Sequence, residues 1–94
     1  MSEPTVTHAN NQFQITVDGQ QAGFADYIET GGQRIFHHTV IDKEFGGRGL
    51  ASTLIGAALD DTRSAGKRVV PSCSFVAGYI SKHPEYADLV DPAE

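Results

Sequence analysis

The feature that most constrains this chain is an abrupt change of period at residues 42–49. Before it, apolar residues recur at every second position or stand in β-branched and aromatic runs. After it they recur at helical spacing. Between the two lies Asp42-Lys43-Glu44-Phe45-Gly46-Gly47-Arg48-Gly49, punctuated by three glycines in four residues. A glycine-rich turn that leaves a strand and opens a helix fixes the order of everything around it.

Upstream, Phe13, Ile15 and Val17 fall on one face of Gln12–Val17, which reads as a half-buried strand. Asp18-Gly19 is a turn, residues 21–28 a second strand, Thr30-Gly31-Gly32 a second turn and residues 34–41 a third strand. These three strands form an antiparallel meander. Downstream, Leu50, Ala51, Leu54, Ile55, Ala57, Ala58 and Leu59 line a helix over 50–64, closed by Gly66. Residues 68–72 form a short buried strand on Val69-Val70, halted by Pro71. Because a helix intervenes, this strand is expected to run parallel to the third. A short helix over 74–81 with Phe75, Val76, Tyr79 and Ile80 inward, then weak helix over 83–90, complete the chain. The expected fold class is α+β (α/β): a three-stranded antiparallel meander, a β-α-β crossover and a short C-terminal helix. One domain is expected over 1–94, with its core at about 12–90 and loose ends at 1–9 and 91–94.

Composition narrows the function. The net charge is -5, and the scattered Lys and Arg residues make no basic patch, so nucleic acid is not an expected partner. No apolar run reaches the ~20 residues of a bilayer span, and the N-terminus lacks the marks of a signal peptide. No membrane partner is expected, and the expected location is cytoplasmic. Cys73 is the only cysteine, and His8, His37, His38 and His83 follow no metal-ligand spacing, so no metal site is expected.

The first N–H groups of a helix have no partner within it, the helix dipole adds positive potential there, and glycines let a ligand approach closely. Residues 46–51, Gly46-Gly47-Arg48-Gly49-Leu50-Ala51, therefore have the design of a phosphate cradle, with Arg48 able to add a charged contact. The alternative reading of the same residues is a tight packing connection. The spacing is neither GxGxxG nor a P-loop.

The sequence Val40-Ile41-Asp42, loop, Gly-Gly-Arg-Gly-Leu-Ala, helix resembles the acetyl-CoA-binding core of the Gcn5-related N-acetyltransferases, whose signature there is Gln/Arg-x-x-Gly-x-Gly/Ala. Gly49 matches the central glycine and Ala51 the last small residue, while Gly46 departs from the first position and removes a side chain. The stretches Ala57-Ala58-Leu59-Asp60, Val69-Val70-Pro71-Ser72-Cys73-Ser74-Phe75-Val76, Tyr79-Ile80 and His83-Pro84-Glu85-Tyr86 resemble a compact, stand-alone group within that superfamily. The resemblance covers about residues 12–90 and implies a truncated version of the fold, without the substrate-side helices and last strands of longer members. It implies coenzyme A or acetyl-CoA as cosubstrate. Gly46, Gly47, Arg48, Gly49, Leu50 and Ala51 would hold the pyrophosphate, and the backbone of Thr39, Val40 and Ile41 would pair with the pantetheine arm.

Acetyl transfer to an amine requires deprotonation of the amine, polarisation of the thioester and departure of the thiolate. Cys73 follows the fourth strand, where the acyl group would arrive, and is a candidate nucleophile or acyl acceptor; its alternative is a small buried thiol. His37 and His38 are candidate bases on opposite strand faces, His38 being preferred because it shares a face with Phe36 and Val40. Tyr79 is a candidate acid for the leaving thiolate, against the commoner reading of a packing residue. The expected activity is acetyl transfer from acetyl-CoA to an unknown amine by a monomer or weak homodimer. The alternatives are a module that holds coenzyme A without turnover and an interaction domain on the same scaffold.

Overall fold

The computed structural model describes residues 4–45 and 49–91. Five strands form one sheet in the order β1-β2-β3-β4-β5: β1 (Thr5–Ala9), β2 (Gln12–Val17), β3 (Gln20–Thr30), β4 (Gln33–Ile41) and β5 (Arg68–Pro71). The first four make an antiparallel meander, and β5 runs parallel to β4. Helix α1 (Leu50–Ser64) makes the crossover, α2 (Ser74–Lys82) follows β5, and 3-10 turns occupy Lys43–Phe45 and Pro84–Leu89.

The meander has four strands rather than the expected three, because Thr5–Ala9 is ordered rather than loose. Asn10 and Asn11 both adopt positive φ (54° and 61°), the two-residue turn whose twist suits a hairpin. Asp18-Gly19 and Gly31-Gly32 repeat that geometry at the next two turns. The edge strand is also anchored by a side chain. The His8 ring stacks on Phe13 at 4.0 Å, its Nε2 lies 2.6 Å from the Tyr27 hydroxyl, and its Nδ1 lies 3.4 Å from Asp61 on α1.

One face of the sheet carries the core. Phe13, Ile15, Ala25, Tyr27 and Phe36 pack against Leu54, Ile55, Ala58 and Leu59 of α1, with Val76 of α2 and Tyr86 and Leu89 of the last turn closing the side. Arg34 is buried in this face. It donates to Asp61 (2.8 Å) and Glu29 (3.3 Å) and lies over the Tyr27 ring, so its charge is paired on both sides. The opposite face presents Phe24, Ile28, Ile35, His38 and Val40, with Ile28 more than half exposed.

Two register shifts shape the sheet. In β4 the pairing passes from Asp26↔His38 to Tyr27↔Phe36, leaving His37 as the extra residue of a β-bulge. Burial follows: Arg34 and Phe36 are buried before the bulge and Thr39 after it, an odd step that switches faces at 37–38. The second shift lies in β3, where Ala22 is the extra residue opposite Ile15 and Thr16.

Candidate active site

The site begins where β4 and β5 part. Their pairing covers Gln33–Phe36 against Arg68–Pro71 and stops there. Beyond it, residues 38–41 of β4 keep their β3 partners but have no strand on the β5 side among the described residues. The Cys73 N–H bridges the mouth of this fork by donating to the Phe36 carbonyl at 2.9 Å. The chain turns away there because Pro71 cannot continue the ladder and Ser72 folds back to donate to Val70. An open strand edge of this kind offers N–H and C=O groups to an extended, amide-bearing ligand.

Inside the fork, the Cys73 thiol lies 3.4 Å from the Thr39 hydroxyl, within hydrogen-bond reach for sulfur. Thr39 is buried and Cys73 partly so. Cys73 is also the N-cap of α2, so its thiol stands at the positive end of that helix, although its side chain caps no backbone N–H.

The α1 end of the groove is set by Gly49. It is the N-cap of α1 with φ 72°, and the first hydrogen bond of the helix runs from the Thr53 N–H to its carbonyl (3.2 Å). The N–H groups of Leu50, Ala51 and Ser52 precede that bond and are the orphan donors of the helix start. A Cβ placed on Gly49 would meet no atom within 4 Å among the described residues beyond its chain neighbours, which leaves that side of the backbone open to an approaching ligand. A cavity of about 200 Å³ lies here, lined by Ile41, Phe45, Gly49, Leu50, Ala51, Ser52 and Phe75. It joins β4 to the start of α1. Gly46, Gly47 and Arg48 lie outside the described residues.

The three residues singled out for chemistry are not assembled at one point. His38 was expected on the face of Phe36. The bulge at His37 reverses that, and His38 is exposed on the opposite face, its ring 5.8 Å from Phe24. Thr39 thereby takes the inward position beside Cys73. Tyr79 lies between the helices. Its hydroxyl rests over Gly56 of α1, where a Cβ would come within 2.8 Å, and its ring stacks on His83 at 4.0 Å. Burial, reinforced by Glu85 and Asp60, raises the Tyr79 pKa, so the phenol stays protonated at neutral pH.

Phe75 was expected inward and is half exposed, at 49%. Helix α2 buries Val76, while Phe75, Gly78, Tyr79 and Lys82 line a second cavity of about 290 Å³ against Ala51, Ser52 and Ile55 of α1. The spacing i, i+3, i+4, i+7 of those four residues was the available signal of a second helix face. The two cavities adjoin, with Ala51, Ser52 and Phe75 in the lining of both.

Residues 12–89 match the family model of the GCN5-related N-acetyl-transferases. The chain belongs to this family. Among solved structures, a GCN5-like protein of Staphylococcus aureus is similar at a TM-score of 0.73 and 23% identity, covering 96% of this chain and 90% of that one. The ribosomal-protein-S18-alanine N-acetyltransferase of Escherichia coli is similar at 0.66 and 17%, covering 81% of this chain and 54% of that one. The aminoglycoside N-acetyltransferase AAC(6')-Iy is similar at 0.55 and 24%, covering 88% of this chain and 63% of that one. These likenesses establish the family's fold, of which this chain spans little more than half in the second relative and under two thirds in the third. No curated protein sequence matches the chain.

Proposed function

We propose that this protein transfers an acetyl group from acetyl-CoA to an amine. The observation that carries the reading is the fork: an open β4 edge from residue 38 to Ile41, with Thr39 and Cys73 at one end and the uncapped start of α1 at the other. Such a groove suits a ligand with an amide-bearing arm and a pyrophosphate. AAC(6')-Iy has been solved with coenzyme A and with a bisubstrate analogue built on it, which supports the same cosubstrate here.

The residues present fit that cosubstrate. The backbone of Thr39, Val40 and Ile41 would pair with the pantetheine amides, and the orphan N–H groups of Leu50, Ala51 and Ser52 would face the pyrophosphate. In the transfer, the amine nitrogen bonds to the thioester carbon, the C–S bond breaks, and the ammonium proton must leave while the thiolate gains one. In a two-step variant, the Cys73 thiol accepts the acetyl group first and passes it on.

A second reading is favoured by a specific observation. His38 lies on the sheet face opposite Thr39 and Cys73, and the Tyr79 hydroxyl lies over Gly56, so no described base and acid converge on the fork. A module that holds coenzyme A without turnover would show this arrangement.

Calorimetric titration with acetyl-CoA and coenzyme A, followed by intact mass spectrometry, separates the readings. Binding with an acetyl adduct on Cys73, lost in Cys73→Ala together with turnover, supports the two-step transferase. Binding with turnover that survives Cys73→Ala supports direct transfer. Binding with no turnover against a panel of amines supports the holding module. Absence of binding at millimolar ligand overturns both readings.

A further inference from the structure

The two edges of the sheet are finished differently. The β5 edge is covered by the end of the chain: Val90 bridges Val69, the Asp91 N–H donates to the Val69 carbonyl at 2.8 Å, and the Arg68 guanidinium donates to the carbonyls of Asp88 and Val90. The β1 edge has no such cover among the described residues. Exposed edges are commonly blunted by charge, by a bulge or by an internal proline. Thr5-Val6-Thr7-His8-Ala9 contains no Lys, Arg, Asp or Glu, pairs with β2 without a register shift, and has its proline, Pro4, just outside the strand.

The hairpin fixes which backbone groups of β1 stand free. Ala9 and Gln12 flank the two-residue turn at Asn10-Asn11 and so form a hydrogen-bonded pair. Bonded and non-bonded pairs alternate along an antiparallel ladder. Thr7 and Thr5 therefore also bond β2, and the N–H and C=O groups of Val6 and His8 point away from it. These four groups are self-complementary about a two-fold axis at Thr7. A second, antiparallel β1 sets Val6 opposite the second copy's His8 and His8 opposite the second copy's Val6. That register makes four backbone hydrogen bonds and pairs every outward group of the two residues. The side chains agree with it. Val6 packs against the core and His8 stacks on Phe13, so both lie on the helix side and their pairing carries the apolar layer across the axis. Thr7 is exposed on the other face and meets the second copy's Thr7 at the close, non-bonded spacing of about 4.5 Å.

We propose that β1 is a dimerisation edge, through which two copies of this chain pair along Thr5–Ala9 into one continuous sheet. The proposal is independent of the acetyl-CoA reading. Each fork lies at the far edge of its own sheet, four strand spacings or about 19 Å from β1, so pairing leaves both forks open. An edge of five residues buries less than the ~1,200 Å² of a standard interface, so the association is weak, with a dissociation constant of about 10–500 µM.

The test is sedimentation equilibrium of the full chain from about 10 µM to about 1 mM. The weight-average mass of wild type should rise from 10.1 kDa toward twice that value. Added salt should strengthen the association, because each copy carries a net charge of -5 and the paired strands contribute no ion pair. Thr7→Lys and Thr7→Glu each set like charges opposite one another across the axis, on an exposed face, and each should weaken association by at least about tenfold. An equimolar mixture of the two variants brings opposite charges together there and should restore association to within about threefold of wild type. Circular dichroism checks that both variants keep the fold. Hydrogen exchange of wild type reads the same edge without a substitution: the Val6 and His8 amides should exchange more slowly as concentration rises. A monomer at every concentration, association undiminished in both folded variants, no restoration in their mixture, or concentration-independent exchange at Val6 and His8 overturns the proposal.

Discussion

Replacing Gly49 by glutamate separates folding from binding at the start of α1. Gly49 has φ 72°, a conformation that costs an ordinary residue about 1–2 kcal/mol. Two effects oppose this. Losing a glycine stiffens the unfolded chain, worth about 0.4–1 kcal/mol, and a carboxylate at a helix N-terminus contributes about 0.3–1 kcal/mol. Beyond its chain neighbours no described residue has an atom within 4 Å of the new Cβ, so no clash with them adds to the sum. The net change in stability should stay within about 1 kcal/mol, a shift in Tm of no more than about 4–8 °C. Binding should respond very differently. A carboxylate about 6 Å from a phosphate charge at an effective dielectric of about 20 repels it by about 3 kcal/mol. Screening at physiological salt roughly halves this, and the pyrophosphate carries two charges, which leaves about 2–3 kcal/mol. Calorimetry should therefore show coenzyme A affinity falling by about thirtyfold to 150-fold, with the gap narrowing at high salt. Gly49→Asn is the control: asparagine tolerates left-handed φ and adds no charge, so its affinity should stay within about threefold of wild type. A folded Gly49→Glu that binds coenzyme A as tightly as wild type would refute the placement of the pyrophosphate here.

Two further predictions concern stability. Gly23 lies under the end of β4, where a Cβ would strike the Val40 carbonyl oxygen and come within 2.6 Å of Ile41 Cδ1; Gly23→Ala should cost about 1–3 kcal/mol, and an unchanged urea midpoint would contradict this close approach of β3 to β4. Glu29, Asp88 and Asp91 have pKa values lowered by their hydrogen bonds, chiefly to Lys67, Arg63 and Gln33 respectively. Carboxylates of depressed pKa contribute stability above their unfolded values near about pH 4, and that contribution is lost as pH falls through the folded ones. The Tm should therefore drop on acidification below about pH 4, and Arg63→Gln should lower Tm at neutral pH while making the acid flank shallower. A parallel downward shift of the whole pH profile would show that the Arg63–Asp88 pair is not responsible.

Much of this architecture was legible because its signals are local. Leu54, Ile55, Ala58 and Leu59 repeat at helical spacing, Gly66 follows the helix end, and Asp18-Gly19 and Gly31-Gly32 are turn dipeptides whose φ values the structure bears out. Strand β1 was not legible, because Val6 is its only large aliphatic residue and Asn10-Asn11 carries no glycine. What holds that strand is a contact nineteen residues away, from His8 to Tyr27. The outward turn of Phe75 was hidden for a related reason: four apolar residues on two turns do not say which pair faces the core.

The bulge in β4 was the least legible feature and bears most directly on the site. Ile35-Phe36-His37-His38-Thr39-Val40 reads as an unbroken strand, and strict alternation would put His38 with Phe36 on the helix side and turn Thr39 away. One extra residue at His37 exchanges those positions. His38 goes to the open face and Thr39 comes within 3.4 Å of Cys73. The pairing of β4 with β5 ends at Phe36, one residue before the bulge. The extra residue bends β4, β5 turns off at Pro71, and Cys73 fills the angle by bonding the Phe36 carbonyl. The fork and the inward threonine thus follow from one insertion. An acceptor approaching from the bare face would meet His38 and Asp26, which are paired in register there, while a thioester in the groove would meet Thr39 and Cys73.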